Sequence, residues 1–258
     1  MPLIDDDMDV RDIPGGGGFN YSAVKMDKID EHGAGAYSLI TIIIDISSST
    51  RLFAPQLLQM LKNIILGCQK DQNSETLMVR VLVFNSECHE IHGFRFLNTI
   101  NVDEYEPFEP KFLTALNNVT FSGVGATLDF SRTLMGQDYE VNGVVYIVTD
   151  GGNNIAGKSA EDIRDLIENA LREETVITSL TTVLIGLCDP KTGSASYQAT
   201  KRDLEEFRTG ANLTKFVDMG DASPEKLAKL GNIVVQHVSS VSQSLKSGGH
   251  SSQISLGI

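Results

Sequence analysis

The chain has 258 residues, of which 41% are hydrophobic and 21% charged, a composition that suits one sizeable core in a single large domain. Its formal net charge of −13 argues against a nucleic-acid groove, because such grooves need clustered Lys and Arg side chains that replace phosphate counterions. No apolar run approaches the ~20 residues that cross a bilayer, and the three cysteines form no C-x-x-C pair. We therefore expect a cytoplasmic protein with neither a nucleic-acid nor a membrane partner.

The two ends of the chain differ in composition from its middle. Residues 1–36 contain three consecutive aspartates and a run of four glycines, so we expect a flexible N-terminal arm. Residues 247–258 are rich in Ser and Gly and predict a flexible C-terminal tail. The folded domain is then expected to cover residues 37–246.

Between the ends, apolar runs alternate with amphipathic ones. Most of the apolar runs are rich in Ile, Val and Leu without polar alternation, as in strands buried on both faces of a sheet. The predicted strands are 39–46, 77–84, 88–96, 143–148, 180–187 and 215–219. The predicted helices are 55–69, 128–135, 160–174, 200–207 and 224–245.

The order of these elements predicts the fold class. Strands that alternate with helices indicate a parallel sheet, whereas the three residues between strands 77–84 and 88–96 allow only an antiparallel hairpin. We therefore predict an α/β, Rossmann-like fold of three layers. Its mostly parallel six-stranded sheet would have one antiparallel edge strand and helices on both faces.

Polar residues whose side-chain oxygens could bind a metal follow two of the predicted strands and one glycine-rich turn. In an open parallel sheet, ligands bind at the carboxyl ends of the strands, where these residues would meet. They are Asp45, Ser47 and Ser49 after the first strand, Thr127 after the turn 123–126, and Asp150 after the fourth strand. Such hard oxygen donors suit Mg²⁺, which keeps several waters, and two carboxylates would neutralise it. An open coordination position would then favour a carboxylate from outside the protein.

The order D-x-S-x-S, then a threonine after a glycine-rich turn, then T-D-G resembles the von Willebrand factor type A (VWA) domain and its metal-ion-dependent adhesion site, over roughly residues 37–245. The resemblance implies that Ser47, Ser49 and Thr127 ligate Mg²⁺, or Mn²⁺ or Ca²⁺, while Asp45 and Asp150 act largely through water. Many such domains have Gly-Gly-Thr where this chain has Gly-Ala-Thr at 125–127.

Short cytoplasmic bacterial VWA proteins, including those of the tellurite-resistance type, are the most similar members. This resemblance implies an adaptor that captures an Asp or Glu side chain of a protein partner. The partner would be an ATPase, a kinase or a phosphatase, in a stress response or in phage biology.

A second motif overlaps the predicted site. Residues 152–159 read GNNIAGKS and match the phosphate-binding loop G-x-x-x-x-G-K-S, with Lys158 and Ser159 as its phosphate and Mg²⁺ contacts. Few residues remain after it to build the sheet that follows such a loop, and Asp150 would repel a phosphate. We therefore treat nucleotide binding as the alternative, and a structural or assembly protein with a vestigial metal site as a third reading.

Catalysis has little support in the sequence. No G-x-S-x-G or H-E-x-x-H motif is present, and the three site loops contain no histidine and no third carboxylate. Hydrolysis at a metal would need such a group to activate water. We therefore expect a binding protein that is not an enzyme.

Overall fold

The computed structural model describes residues 6–173, 175–187 and 194–246, and of residues 194 and 244–246 it describes the backbone alone. The strands are β1 (Met8–Asp12), β2 (Asn20–Val24), β3 (Ala36–Asp45), β4 (Leu77–Phe84), β5 (Cys88–Phe96), β6 (Glu140–Thr149), β7 (Ser179–Gly186) and β8 (Lys215–Asp218). The α-helices are α1 (Met26–His32), α2 (Ala54–Gln69), α3 (Leu116–Met135), α4 (Ala160–Arg172), α5 (Ser194–Gly210) and α6 (Pro224–Lys246). Short 3₁₀ helices cover Ser48–Leu52, Ser74–Thr76, Leu97–Thr99 and Val102–Glu104. Within the described ranges, no helix is long and apolar enough to cross a bilayer.

The strands form one mixed sheet in the order β1-β2-β5-β4-β3-β6-β7-β8. The pairs β1–β2 and β4–β5 are antiparallel and the other neighbouring pairs are parallel, so the sheet is mostly parallel. The six predicted strands are all present, with β5 antiparallel to β4 as the short turn requires. The prediction of six strands was nevertheless too low, and β5 is not at the edge because β2 and β1 extend the sheet beyond it.

Alternation along β3 divides the interior into two cores. Ile40, Ile42 and Ile44 point to the face covered by α2 and α6, whereas Leu39 and Ile43 point to the face covered by α3 and α4. A strand buried on both faces shows no polar alternation, which is why this one reads as a continuous apolar run. The molecule therefore has three layers, with the sheet in the middle.

The N-terminal segment differs from the flexible arm expected for residues 1–36, because β1, β2 and α1 lie within it. Tyr21, Ala23 and Ile29 are buried in the core on the α3 face. The glycine run lies in the connection of the β1–β2 hairpin, where Gly15 and Gly17 have φ values of +69° and +65°. Its glycines thus serve a turn rather than a loose linker. The predicted tail, residues 247–258, lies outside the described residues.

Polar contacts attach this hairpin to the domain. The Tyr21 hydroxyl donates to Asp129 on α3 at 2.8 Å, and the backbone N–H of Ser22 donates to Glu90 on β5 at 3.0 Å. Glu90 is also paired with Arg80, whose Nε lies 2.6 Å from the carboxylate and whose side chain is buried. A buried guanidinium must keep such a partner. The hairpin is therefore part of the domain.

Helix α3 begins at Leu116 rather than at residue 128, and the glycines expected to form a turn lie inside it. A Cβ on Gly123 would lie 2.5 Å from Ile43 Cδ1, and one on Gly125 would lie 2.6 Å from Ile13 Cγ2. The glycines therefore let the helix approach the sheet and the hairpin closely. Packing outweighs the modest cost of glycine inside a helix.

Candidate metal site

The site begins at Asp45, the last residue of β3. One carboxylate oxygen accepts the backbone N–H of Ser47 at 2.7 Å, and the other accepts the hydroxyl of Thr149 from the neighbouring strand β6, also at 2.7 Å. Asp45 is buried at the carboxyl end of the sheet. The chain then turns into the 3₁₀ helix Ser48–Leu52, which brings the next serine back toward β6.

Two serine hydroxyls connect the carboxylates. Ser47 Oγ lies 3.1 Å from Ser49 Oγ, and Ser49 Oγ donates to Asp150 Oδ1 at 2.8 Å. Asp150 directly follows β6, so its position next to Asp45 results from the parallel pairing of β3 and β6. The structure thus brings together four of the five predicted site residues in one hydrogen-bonded chain.

The electrostatics of this chain are unfavourable without a cation. Burial raises the pKa of Asp45 above its ordinary value. Burial, followed by the negative charge of Asp45, raises the pKa of Asp150 to about 6. Neither carboxylate forms an ion pair with any residue in the described part of the chain. Two adjacent, partly desolvated carboxylates are therefore held apart by neutral hydroxyls, and a positive ion would relieve the cost of their charge.

This arrangement predicts how the stability of the metal-free protein changes with pH. The folded-state pKa of Asp150, about 6, exceeds the ordinary value of 3.8. The folded protein therefore binds more protons than the unfolded chain between these values, and stability falls as the pH rises from about 4 to about 6. Urea unfolding in the presence of a chelator measures this slope, and Asp150→Asn should reduce it. Equal slopes in the two proteins would contradict the raised pKa of Asp150.

Thr127, the fifth predicted residue, is elsewhere. It lies in the middle of α3, fully buried, where its hydroxyl donates to Gly123 O at 2.8 Å and lies 2.9 Å from the hydroxyl of Thr41. Thr41 precedes Asp45 by four residues of β3, which corresponds to about 13 Å along a strand. The structure therefore does not place Thr127 at the site, because the glycine-rich segment before it is helical.

A different threonine lies at the site edge. Thr114 lies in the loop before α3. Two backbone hydrogen bonds made by the residues around Thr114 hold this loop at the carboxyl ends of β3 and β4. Ser48 N donates to Phe112 O at 3.1 Å, and Ala115 N donates to Asn85 O at 2.7 Å. Thr114 itself exchanges two hydrogen bonds with Asn154. Its hydroxyl makes no hydrogen bond to a residue in the described ranges, and the backbone bond from Ser48 to Phe112 brings its loop against the loop that carries the serines.

The sequence contained a signal for Thr114. Apolar and small residues continue at helical spacing from Leu128 back to Leu116, with Val124, Val119 and Thr120 between them, and all are buried. Following that periodicity places the helix start near 116 and makes Thr114 the threonine that precedes it. Gly123 and Gly125 instead predicted a turn, with Thr127 as the threonine that follows it.

The segment that resembles a phosphate loop is occupied by contacts within the protein. Lys158 Nζ donates to Gly15 O at 3.0 Å and lies 4.1 Å from the centre of the Phe121 ring. Ser159 caps α4 in a capping box with Asp162. Lys158 therefore contacts the β1–β2 hairpin, and Ser159 stabilises the start of α4.

Backbone N–H groups in the same segment also donate hydrogen bonds within the protein. The N–H groups of Asn154, Lys158 and Ser159 donate to Thr114 O, Asn118 Oδ1 and Asp162 Oδ2. A phosphate loop needs such groups free to surround the phosphates. The geometry of residues 152–159 is therefore that of a structural turn that places Asp150 and Asn154.

The donor set at the site fits a small hard cation. Asp45, Asp150, Ser47 and Ser49 all offer oxygen, which Mg²⁺ prefers, and Thr114 on the neighbouring loop has a further hydroxyl. Among the described residues, no three His, Cys, Asp or Glu side chains are grouped so that they could hold a metal. An ion here would therefore rely on two carboxylates, hydroxyls and water, and would keep positions open to an outside ligand.

Comparison with known proteins supports the fold but does not identify the chemistry of the site. No family model and no curated protein sequence matches this chain. A mutant of the PilB minor pilin from Streptococcus sanguinis matches with a TM-score of 0.56 and 11% identity, over 84% of this chain and 64% of that one. The pilus adhesin SpaC from Lactobacillus rhamnosus GG, in its open conformation, matches with a TM-score of 0.51 and 10% identity, over 81% of this chain and 30% of that one.

A third match is proximal thread matrix protein 1 from the mussel byssus, with a zinc-occupied MIDAS motif. Its TM-score is 0.45 and its identity 22%, over 80% of this chain and 46% of that one. The chain thus spans less than two thirds of the length of each of these proteins. At such low identities, the matches to the pilin and to SpaC show a shared fold.

Proposed function

We propose that this protein is a VWA-like, metal-dependent protein-binding module of the adaptor type. The observation that carries the proposal is the hydrogen-bonded chain from Asp45 through Ser47 and Ser49 to Asp150, which presents two carboxylates without an ion-pair partner in the described ranges. Thr114 takes the place that the sequence resemblance assigned to Thr127. The bound ion is Mg²⁺ or a similar divalent ion.

The ion supplies an electrophilic centre with an exchangeable water. The two carboxylates offset its charge, and the serine and threonine hydroxyls are neutral, so a further anionic ligand remains favourable. A partner's Asp or Glu carboxylate has the charge and the oxygen chemistry for that position. The protein's own residues orient the ion and do not transform the ligand.

A binding role also agrees with the groups that surround the site. The loops that carry Asp45, Thr114 and Asp150 contribute carboxylates, hydroxyls and amides, and no histidine or cysteine. Proton transfer near neutral pH usually depends on a group with a matched pKa placed within reach of the ligand. We therefore propose that the site binds without catalysing a reaction, and that the partner is a cytoplasmic protein.

Titration of the purified, chelator-treated protein with Mn²⁺ and, separately, with ATP tests this function. We expect one Mn²⁺ per chain and no ATP binding, with the same result for Lys158→Ala because Lys158 contacts the hairpin rather than a ligand. Electron paramagnetic resonance measures free Mn²⁺, and calorimetry measures both ligands.

The outcomes separate the three readings of the sequence. ATP binding that disappears in Lys158→Ala would establish nucleotide binding through residues 152–159. Binding of neither ligand would leave a structural or assembly protein with a vestigial site. Either result would refute the metal-dependent module.

A further inference from the structure

Large exposed apolar side chains are concentrated at the candidate metal site. Within the described ranges, six large hydrophobic residues are exposed, and three of them lie on the two loops that meet at Ser48. They are Leu52 at 90% exposure, Phe112 at 64% and Leu113 at 52%. We refer to these three residues as the apolar rim. Scattered exposed apolar residues need no explanation, but their grouping beside a binding site indicates a contact surface.

The backbone conformation of Phe112 indicates that folding does not require an aromatic side chain at this position of the rim. Its φ of +63° lies in the left-handed region, which is unfavourable for a bulky residue and natural for glycine. The ring does not compensate by burial, because most of it faces solvent. The backbone is held there by the hydrogen bonds from Ser48 N to Phe112 O and from Lys111 N to Ile46 O. Folding alone would favour glycine at this position, so the aromatic side chain needs another reason.

Charge complementarity indicates what the rim contacts. Arg51 is exposed between Ser49 and Leu52, and it forms no ion pair with any residue that the structure describes. The chain as a whole is strongly acidic, with a formal net charge of −13. Because the two carboxylates offset the charge of a divalent ion, exposed Arg51 would make the loop that carries the serines a local positive region within an acidic surface. That region attracts an anionic group, while the rim attracts apolar ones.

We propose that the partner presents an acidic residue flanked by large apolar side chains, and that the apolar rim binds those flanking side chains. The acidic residue reaches the metal, so this inference rests on the proposed function and specifies its partner. Leu52 lies on the loop that carries the serines, and Phe112 with Leu113 lies on the loop bonded to it through Ser48 N and Phe112 O, so each loop offers an apolar contact to a neighbour of the acidic residue. The rim thereby selects among the many exposed Asp and Glu residues that a cell offers.

Selection from a phage-displayed library of random seven-residue peptides tests the partner chemistry. Phages are captured on the full chain in Mn²⁺ and released with a chelator. We expect the enriched peptides to contain Asp or Glu with a large apolar residue beside it. Enrichment of acidic peptides without apolar neighbours would overturn the inference while the metal-dependent function stands. A protein that binds Mn²⁺ but yields no chelator-released peptide would overturn both.

Variants then test the rim itself with the tightest selected peptide. Phe112→Gly keeps the left-handed backbone available, and Leu113→Ser removes the neighbouring side chain, which is 52% exposed. Each should weaken peptide binding about tenfold or more, with Mn²⁺ affinity unchanged within about twofold. Leu171→Ser is the matched control, because Leu171 on α4 is also 52% exposed and lies outside the rim. Equal peptide affinity in Phe112→Gly and the wild type would refute the role of the rim.

Discussion

Replacing Asp150 with asparagine is expected to weaken Mn²⁺ binding by about a hundredfold or more, since ligand charge is a main determinant of affinity at oxygen sites. The amide has almost the same shape and can still accept the hydroxyl of Ser49, so the loop should keep its structure. What is lost is one of two negative charges. The same variant should be more stable than the wild type in the metal-free state, because it removes a charge whose burial, and whose repulsion from Asp45, raise the pKa of Asp150.

This opposite response of metal affinity and stability is diagnostic of a charged binding site. Asp103→Asn provides the control, because Asp103 is exposed in a short 3₁₀ helix and its side chain makes no contact with a site residue in the described ranges. It should change neither quantity. Thermal unfolding with and without Mn²⁺ measures both effects in one experiment. If Asp150→Asn binds Mn²⁺ as tightly as the wild type, the ion is held elsewhere and the proposed site is wrong.

Substitution of two threonines by valine should have opposite consequences. Thr114→Val removes a free hydroxyl at the site edge and should lower Mn²⁺ affinity about tenfold with little change in stability, since the backbone bonds to Asn154 remain. Thr127→Val should instead destabilise the fold by about 1–3 kcal/mol, because the buried hydroxyl of Thr41 loses its partner. Its Mn²⁺ affinity should stay unchanged. Denaturant unfolding and Mn²⁺ titration of both variants make the comparison.

The identical chemical change makes each variant the control of the other. A loss of Mn²⁺ affinity in Thr127→Val, with none in Thr114→Val, would restore the assignment suggested by the sequence resemblance. It would also mean that α3 unwinds around Gly123 and Gly125 when the ion binds.

Much of the central fold could be predicted because the signals are local. The bounds of β4 and β5 agree with the predicted strands, and α2 begins one residue before the predicted 55, with Pro55 in its first turn. These elements combine an uninterrupted apolar run or a helical apolar stripe with clear breaks at their ends. The positions of Asp45 and Asp150 at strand ends followed from the same reasoning. They needed no knowledge of distant contacts.

The N-terminal segment shows where such reasoning fails. Its glycines and aspartates favour a loose arm, and five-residue strands are too short to stand out in the sequence. The segment is ordered through distant partners, because Tyr21 contacts Asp129 and Ser22 contacts Glu90. Composition cannot reveal contacts across 68 and 108 residues of chain. The number of strands was underestimated for this reason.

The sequence by itself determined the three-layer α/β core and the positions of the carboxylates and serines of the candidate site, because strand burial and the residues after a strand depend on short-range pattern. Only the tertiary structure showed that Thr127 lies apart from them. Gly123 and Gly125 let the helix approach the sheet and the β1–β2 hairpin, because a Cβ on them would lie 2.5 Å from Ile43 and 2.6 Å from Ile13. From the local sequence alone these residues predict a turn, since glycine permits both a turn and a helix. Packing favours the helix, which places Thr127 in the core and leaves Thr114 in the loop before it.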